Sequence, residues 1–147
     1  MKVVVQRVSK SKVIVDGKVV GNIDKGLNVL LGICKGDTIE DVKYLKDKVI
    51  NLRIFEDQEG KLNKSLIDVG GELLIVSQFT LYGDCRKGRR PNFMEALSGE
   101  EAKILYEDFI KSCREDISKV ETGVFGANME VSIENHGPVT LIIESKK

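Results

Sequence analysis

Asp16-Gly17 stands between two valine-rich runs in the stretch KVIVDGKVVGNI. Asp-Gly accepts the positive φ angles of a two-residue hairpin turn, and the β-branched residues on either side favour extended backbone. The chain must fold back on itself here, so antiparallel strand pairing is the first architectural commitment. KVVVQRV before it and GLNVLLGI after it also read as strands, the second so continuously apolar that both its faces are expected to be covered.

The periodicity then changes. Ile39, Val42, Leu45, Val49 and Leu52 recur at helical spacing within Asp37 to Phe55, with Asp37 and Glu40 placed as a capping box. EDQEGKLNKSLIDVGG is polar and turn-rich and reads as a hairpin excursion, and GELLIVSQFTL as a buried strand. Ser98 and Glu101 form a second box, opening a helix whose stripe of Ala102, Leu105, Tyr106, Phe109, Ile110 and Cys113 suits core packing rather than a cofactor. Met129, Val131 and Ile133 alternate with Glu130, Ser132 and Glu134 in a half-exposed strand. ENHGPVTLIIES then reads as a turn, Asn135 to Pro138, feeding a final strand as the second arm of a hairpin.

The order is three strands, helix, one or two strands, helix, two strands. It predicts an α/β fold: one compact domain over residues 1–147, with mixed, mostly antiparallel sheets in two layers and two helices packed on one side. A chain of 147 residues is long enough for a core without covalent staples. Lys plus Arg and Asp plus Glu are both 23, so nucleic-acid contact would need a local basic patch. Three cysteines without a Cys-x-x-Cys spacing support neither a metal site nor a disulfide framework, and point to a reducing, cytoplasmic setting. No apolar run approaches the ~18 residues of a membrane span.

The chemistry-bearing stretch is SQFTLYGDCRKGRRPNF. Ser77, Gln78, Phe79 and Thr80 end a buried strand, where a rigid element holds what the following loop exposes. Thr80 is a candidate nucleophile, but a hydroxyl needs an adjacent base and none is near in sequence. Arg86, Lys87, Arg89 and Arg90 place four cations within five positions, a candidate phosphate-contacting loop. Cys85 beside them is a candidate thiolate. His136, the one histidine, could act as a base but reads as a turn residue. From the residues alone the site is a strand end beside a basic loop, and two alternatives stay open: a Thr- or Cys-dependent hydrolase of a small ester or amide, and a non-enzymatic RNA-binding module.

SQFTLYGD and NHGPVTLIIES together resemble the D-aminoacyl-tRNA deacylase family. QRV, RIFED, RPNF and GVFGANMEVSIENHGPVT are similar to it in the same order, across essentially the whole chain. The resemblance implies a homodimeric hydrolase with active sites at the subunit interface. It would cut the ester between a D-amino acid and the terminal ribose of aminoacylated tRNA, without a cofactor. By the same resemblance, Gly137 and Pro138 form a cis-peptide chiral selector that enters the partner's pocket, braced by hydrogen bonds from Arg7 to its carbonyls. Ser77, Gln78, Phe79 and Thr80 form the pocket wall, with backbone N–H groups near Phe79 and Thr80 facing the developing oxyanion. Phe125 and Met129 line the pocket or the dimer contact. L-residues are rejected by collision, diverse D side chains are accepted, and glycine leaks through.

Overall fold

The structure is a computed structural model and describes residues 1–146. Its elements run β1 (Lys2–Val15), β2 (Lys18–Ile23), β3 (Gly26–Gly32), α1 (Ile39–Asn51), β4 (Phe55–Glu56), β5 (Leu62–Lys64), α2 (Leu66–Val69), β6 (Glu72–Ser77), a 3₁₀ turn (Phe79–Tyr82), α3 (Gly99–Arg114), β7 (Val120–Thr122) and β8 (Glu130–Glu144). The Asp-Gly turn forms as expected, with Asp16 at φ 49° and Gly17 at φ 76°.

β1 organises the sheet. One of its edges pairs antiparallel with β3 over residues 2–8 and with β2 over residues 11–15. Its other edge pairs antiparallel with β8. β6 and β7 then add in parallel, giving the order β2-β1-β3-β6-β7 with β8 on β1. The sheet is therefore mixed and mostly antiparallel, as the sequence predicts. It also curls over. The Asn22 N–H donates to the Glu121 carboxylate at 3.3 Å, and a Cβ at Gly21 would collide with the Thr122 carbonyl.

Curling divides the apolar residues into two cores. On the convex side Val3, Val5, Leu27, Val29, Leu73 and Ile75 meet α1 and α3 through Val42, Leu45, Val49, Phe109 and Cys113. On the concave side Val8, Val13, Ile23, Leu74 and Val76 pack together. Alternate residues of β6 thus serve opposite cores, which explains its unbroken apolar run. Each fully buried Leu or Ile side chain contributes about 1.5–3 kcal/mol.

Two local readings are corrected and one is extended. The first helix is capped by Thr38, not Asp37: the Thr38 hydroxyl accepts from the Glu40 N–H at 3.3 Å, and the Asp41 carboxylate accepts from the Thr38 N–H at 2.8 Å. Asp37 instead accepts from the Cys34 N–H (2.7 Å) and the Met1 ammonium (2.8 Å), which takes it away from the cap. Ser98 does precede α3, but its hydroxyl makes no capping bond. The excursion after α1 is a β4–β5 hairpin followed by α2, capped reciprocally by Ser65 and Asp68.

The largest difference lies at the C-terminus. Residues 130–144 do not form a hairpin. They are one strand that runs antiparallel to β1 throughout, from Ile14 opposite Glu130 to Lys2 opposite Glu144. Gln6 pairs with Thr140 and Val8 with Asn135, so Arg7 alone faces the four residues His136 to Val139. The Gly-Pro segment is an arch raised from a continuous strand.

Candidate active site

A cavity of about 370 Å³ opens where β3 and β6 end. Its floor comes from Leu31 and Val76, and its walls from Ser77, Gln78 and Phe79 on one side and Phe125 and Met129 on the other. The N-terminal turn of α3 closes it through Ser98, Gly99 and Ala102. Five residues expected at the site from sequence are therefore brought together. Among the described residues no Asp, Glu, His, Lys, Arg, Cys or Tyr lines the cavity.

The wall is a rigid turn. The Gln78 N–H donates to the Leu31 carbonyl at 2.8 Å, tying the chain to β3 as it leaves the sheet. Within the 3₁₀ turn the Leu81 N–H donates to the Gln78 carbonyl (3.3 Å) and the Gly83 N–H to the Thr80 carbonyl (2.9 Å). The N–H groups of Phe79 and Thr80 stand ahead of this ladder, as the first donors of any helical turn do. Gly32 packs beneath, where a Cβ would come within 3.0 Å of Leu81 Cβ and 3.1 Å of the Gln78 carbonyl oxygen. Lys2 holds the far side: its ammonium donates to the Leu81 carbonyl (3.3 Å), lies 4.9 Å from the Tyr82 ring centroid and pairs with Glu144 (3.3 Å). The supports from Leu31, Gly32 and Lys2 are not legible from spacing, because each joins residues remote in sequence.

Thr80 does not line the cavity, and its hydroxyl accepts from the Gln78 side-chain amide. No ionisable side chain bonds to that hydroxyl among the described residues. Phe79 is exposed and meets Phe93 edge-on at 5.3 Å. This contact joins the wall to the base of the following loop, where Asp84 and Asn92 exchange backbone hydrogen bonds at 2.8 and 2.9 Å.

That loop carries the four cations, but they are not equivalent. Arg86 donates from Nε and Nη2 to Asp84 at 2.9 and 2.7 Å. The guanidinium bonds hold the Asp84 carboxyl down at about 2. Lys87, Arg89 and Arg90 are exposed and make no ion pair among the described residues. Cys85 is exposed beside them. By contrast, burial pushes the Cys113 thiol up to about 12.

Gly137, Pro138 and Arg7 are not part of this cavity. Arg7 and His136 border a separate recess of about 340 Å³ with Lys25 and Glu56. Arg7 is almost wholly buried, and donates from Nε to the His136 carbonyl (3.2 Å) and from Nη1 to the Ile54 carbonyl (2.9 Å). The Gly137–Pro138 peptide is cis, and Gly137 has φ 119°. A Cβ there would come within 2.9 Å of Arg7 Nη2, and φ 119° strains any L side chain, so a larger residue must displace the Arg7 guanidinium.

The D-Tyr-tRNA(Tyr) deacylase family model matches residues 4–144. The chain belongs to this family. The matched span of the deacylase family includes β1 with Arg7, the Ser77–Thr80 wall and the Gly137-Pro138 arch. Relatives agree: the D-aminoacyl-tRNA deacylase of Clostridium tetani is 70% identical over 147 residues, covering 100% of this chain and 99% of its own. That of Clostridium acetobutylicum is 66% identical over the same span and coverage. Among solved structures, the c-Myc DNA Unwinding Element Binding Protein superposes with a TM-score of 0.95 at 42% identity, over 100% of both chains. A probable eukaryotic D-amino acid tRNA deacylase superposes with a TM-score of 0.83 at 21% identity, over 97% of this chain and 98% of its own, a likeness of fold. Within the deacylase fold, the cavity and the arch are thus two separate features of one protomer.

Proposed function

We propose that this enzyme hydrolyses the ester bond of D-aminoacyl-tRNA, releasing free tRNA and the D-amino acid. The observation that carries the reading is a cavity at the Ser77–Phe79 strand end with no ionisable side chain in its lining. An ester hydrolysed there depends on fixed dipoles and a positioned water. Water adds to the ester carbonyl carbon, the tetrahedral oxyanion forms, and the bond to the ribose oxygen breaks as that oxygen gains a proton. The N–H groups of Phe79 and Thr80 face the oxyanion, each worth about 3–4 kcal/mol in sites of this kind. Gln78 orients the wall through its bond to Thr80. A neighbouring hydroxyl of the tRNA ribose assists proton transfer, since the described residues offer no acid–base pair in the cavity.

Selection needs a second protomer. The arch of one chain enters the cavity of its partner and presents the Gly137 and Pro138 carbonyls to the α-carbon substituent. An L side chain collides with them, and a D side chain points away. Rejection by collision discriminates where attractive contacts to so many side chains could not. The supporting observation is that Gly137 and Pro138 are exposed, are flanked by the Arg7 bond to the His136 carbonyl, and do not line their own chain's cavity. Lys87, Arg89 and Arg90 contact phosphates of the acceptor end, in the cytoplasm where tRNA is charged. Among the described residues no helix is long and apolar enough to cross a membrane.

Purified protein assayed in parallel on D-tyrosyl-, L-tyrosyl- and glycyl-tRNA tests the reading. Cleavage of the D and glycyl esters with sparing of the L ester is expected, whereas rapid L-ester cleavage removes the exclusion model. A Thr80 nucleophile would be the conclusion if Thr80→Ala abolished hydrolysis in a folded protein.

A further inference from the structure

Two sequence stretches meet at the arch without a role for most of their residues. Gln6 stands beside Arg7 on β1, and Asn135 and Thr140 are the two feet of the arch on β8. The register explains why feet are needed. Four residues of β8 rise opposite Arg7, so the β1–β8 ladder has no backbone pairing to hold them. An arch of this kind is free to rock unless side chains replace the missing bonds.

Asn135 replaces them. Its amide Nδ2 donates to the Arg7 carbonyl at 3.0 Å, in the gap where a ladder partner is missing. The same nitrogen donates to the Val139 carbonyl at 3.1 Å, closing the arch from one foot to the last raised residue. Its Oδ1 accepts from the Thr140 hydroxyl at 3.0 Å and from Gln6 Nε2 at 3.4 Å. One side chain therefore joins both feet of the arch to β1. Arg7 holds the other flank through the His136 carbonyl at 3.2 Å. The carbonyls on each side of Gly137-Pro138, those of His136 and Val139, are both tied down. Gly137 and Pro138 themselves stay exposed between them.

We infer that Asn135 is a specificity-determining positioning residue, whose amide fixes the direction of the Gly137-Pro138 carbonyls and so sets discrimination between D- and L-aminoacyl esters. This rests on the selector reading above. Only an amide fits, because the site uses both hydrogens of Nδ2 and the lone pairs of Oδ1. A carboxylate of the same shape keeps the acceptor and loses both donors. It would also set its charge against two carbonyl oxygens.

The test compares Asn135→Asp and Thr140→Val with the wild type, measuring kcat/KM on D-tyrosyl- and L-tyrosyl-tRNA and thermal melting. Asn135→Asp is expected to raise the L:D ratio about tenfold, the scale of one to two broken hydrogen bonds, while D-ester cleavage falls less than the ratio rises. Thr140→Val, which removes one donor to Oδ1 with little change of volume, is expected to raise the ratio in the same direction by a smaller factor. Proportional loss of both activities, or an unchanged ratio in both variants, overturns the inference. Should Asn135→Asp fail to fold, Thr140→Val alone decides on the same ratio. Gly137→Ala is the separating control. If it changes the ratio and the clamp variants do not, only the role of Asn135 fails; if it too leaves the ratio unchanged, the selector reading fails.

Discussion

Cys113 and Cys85 are the same side chain in opposite surroundings, and the difference is measurable. Cys113 is buried against α1, its thiol pushed up to about 12, while Cys85 is exposed on the basic loop. A thiol reagent at neutral pH is expected to label Cys85 within minutes and Cys113 only after unfolding. Labelling of Cys113 in the folded protein would contradict the packing of α3. Blocking Cys85, like Cys85→Ala or Thr80→Ala, is expected to leave most ester cleavage intact, since neither side chain lines the cavity. Asp84 offers a second readout. Arg86 lowers its pKa from 3.8 to about 2, so the hold of the pair is complete above about pH 4 and fades as pH falls towards 2. The Asp84 carboxyl resonance should titrate near 2 in the wild type and return towards its ordinary value in Arg86→Ala. The sequence presents Arg86 as one of four equal cations. Only the fold shows it paired, because its partner lies two residues back on a bend whose direction composition does not encode.

The elements that place the cavity wall are β3 and β6, and their fit is tight. Gly32→Ala would press a methyl group against Leu81 and the Gln78 carbonyl, each about 3 Å away. The 3₁₀ turn must then shift, and with it the N–H groups facing the oxyanion. A fall of about 10²-fold in kcat with a smaller change in KM is expected, in line with displacement of an oxyanion donor. Equal kcat in a folded Gly32→Ala enzyme would dismiss the turn as oxyanion holder. Phe109→Ala, at the centre of the α3 contact, should cost about 3–5 kcal/mol by denaturant titration. At this scale the sequence is a good guide to the three opening strands, the Asp-Gly hairpin, both long helices and the burial of β6, but α2 and β7 escape it. It misleads at helix caps and at β8. Asp37 carries the right side chain for a cap, but a buried ammonium and a backbone N–H compete for it. Asn-His-Gly-Pro carries turn residues, but pairing of both flanks with β1 keeps the strand direct.

For the molecule as a whole, a selector and a cavity on separate parts of one chain make association the central expectation. Light scattering should give twice the 16.3 kDa chain mass. Mixed dimers should locate the site. Gly137→Ala chains combined with chains blocked at the cavity by Ala102→Trp leave one open cavity, facing the blocked chain's intact arch, and should restore D-ester selectivity to the surviving sites. No restoration would place the selector within its own chain. The net charge of zero gives no long-range attraction for tRNA, so binding must rest on the loop. Replacing Lys87, Arg89 and Arg90 by Ser should reduce the slope of log affinity against log salt by about 0.9 for each phosphate no longer neutralised. An unchanged slope would show the loop to be bystander surface.

The sequence alone determined what is local: which segments extend or coil, which faces are apolar, and that Ser77–Thr80 and Gly137-Pro138 are the stretches to watch. These follow from periodicity, turn chemistry and motif resemblance, which depend on neighbours along the chain. The tertiary structure decided what those stretches become. It drew Ser77, Gln78, Phe79, Phe125 and Met129 around one cavity whose lining, among the described residues, holds no ionisable group, and set Arg7 and Asn135 on either side of an arch. The bond from Arg7 to the arch joins residues separated by 129 positions. Only the register of β1 against β8 sets which of them meet, and register is a property of two strands together.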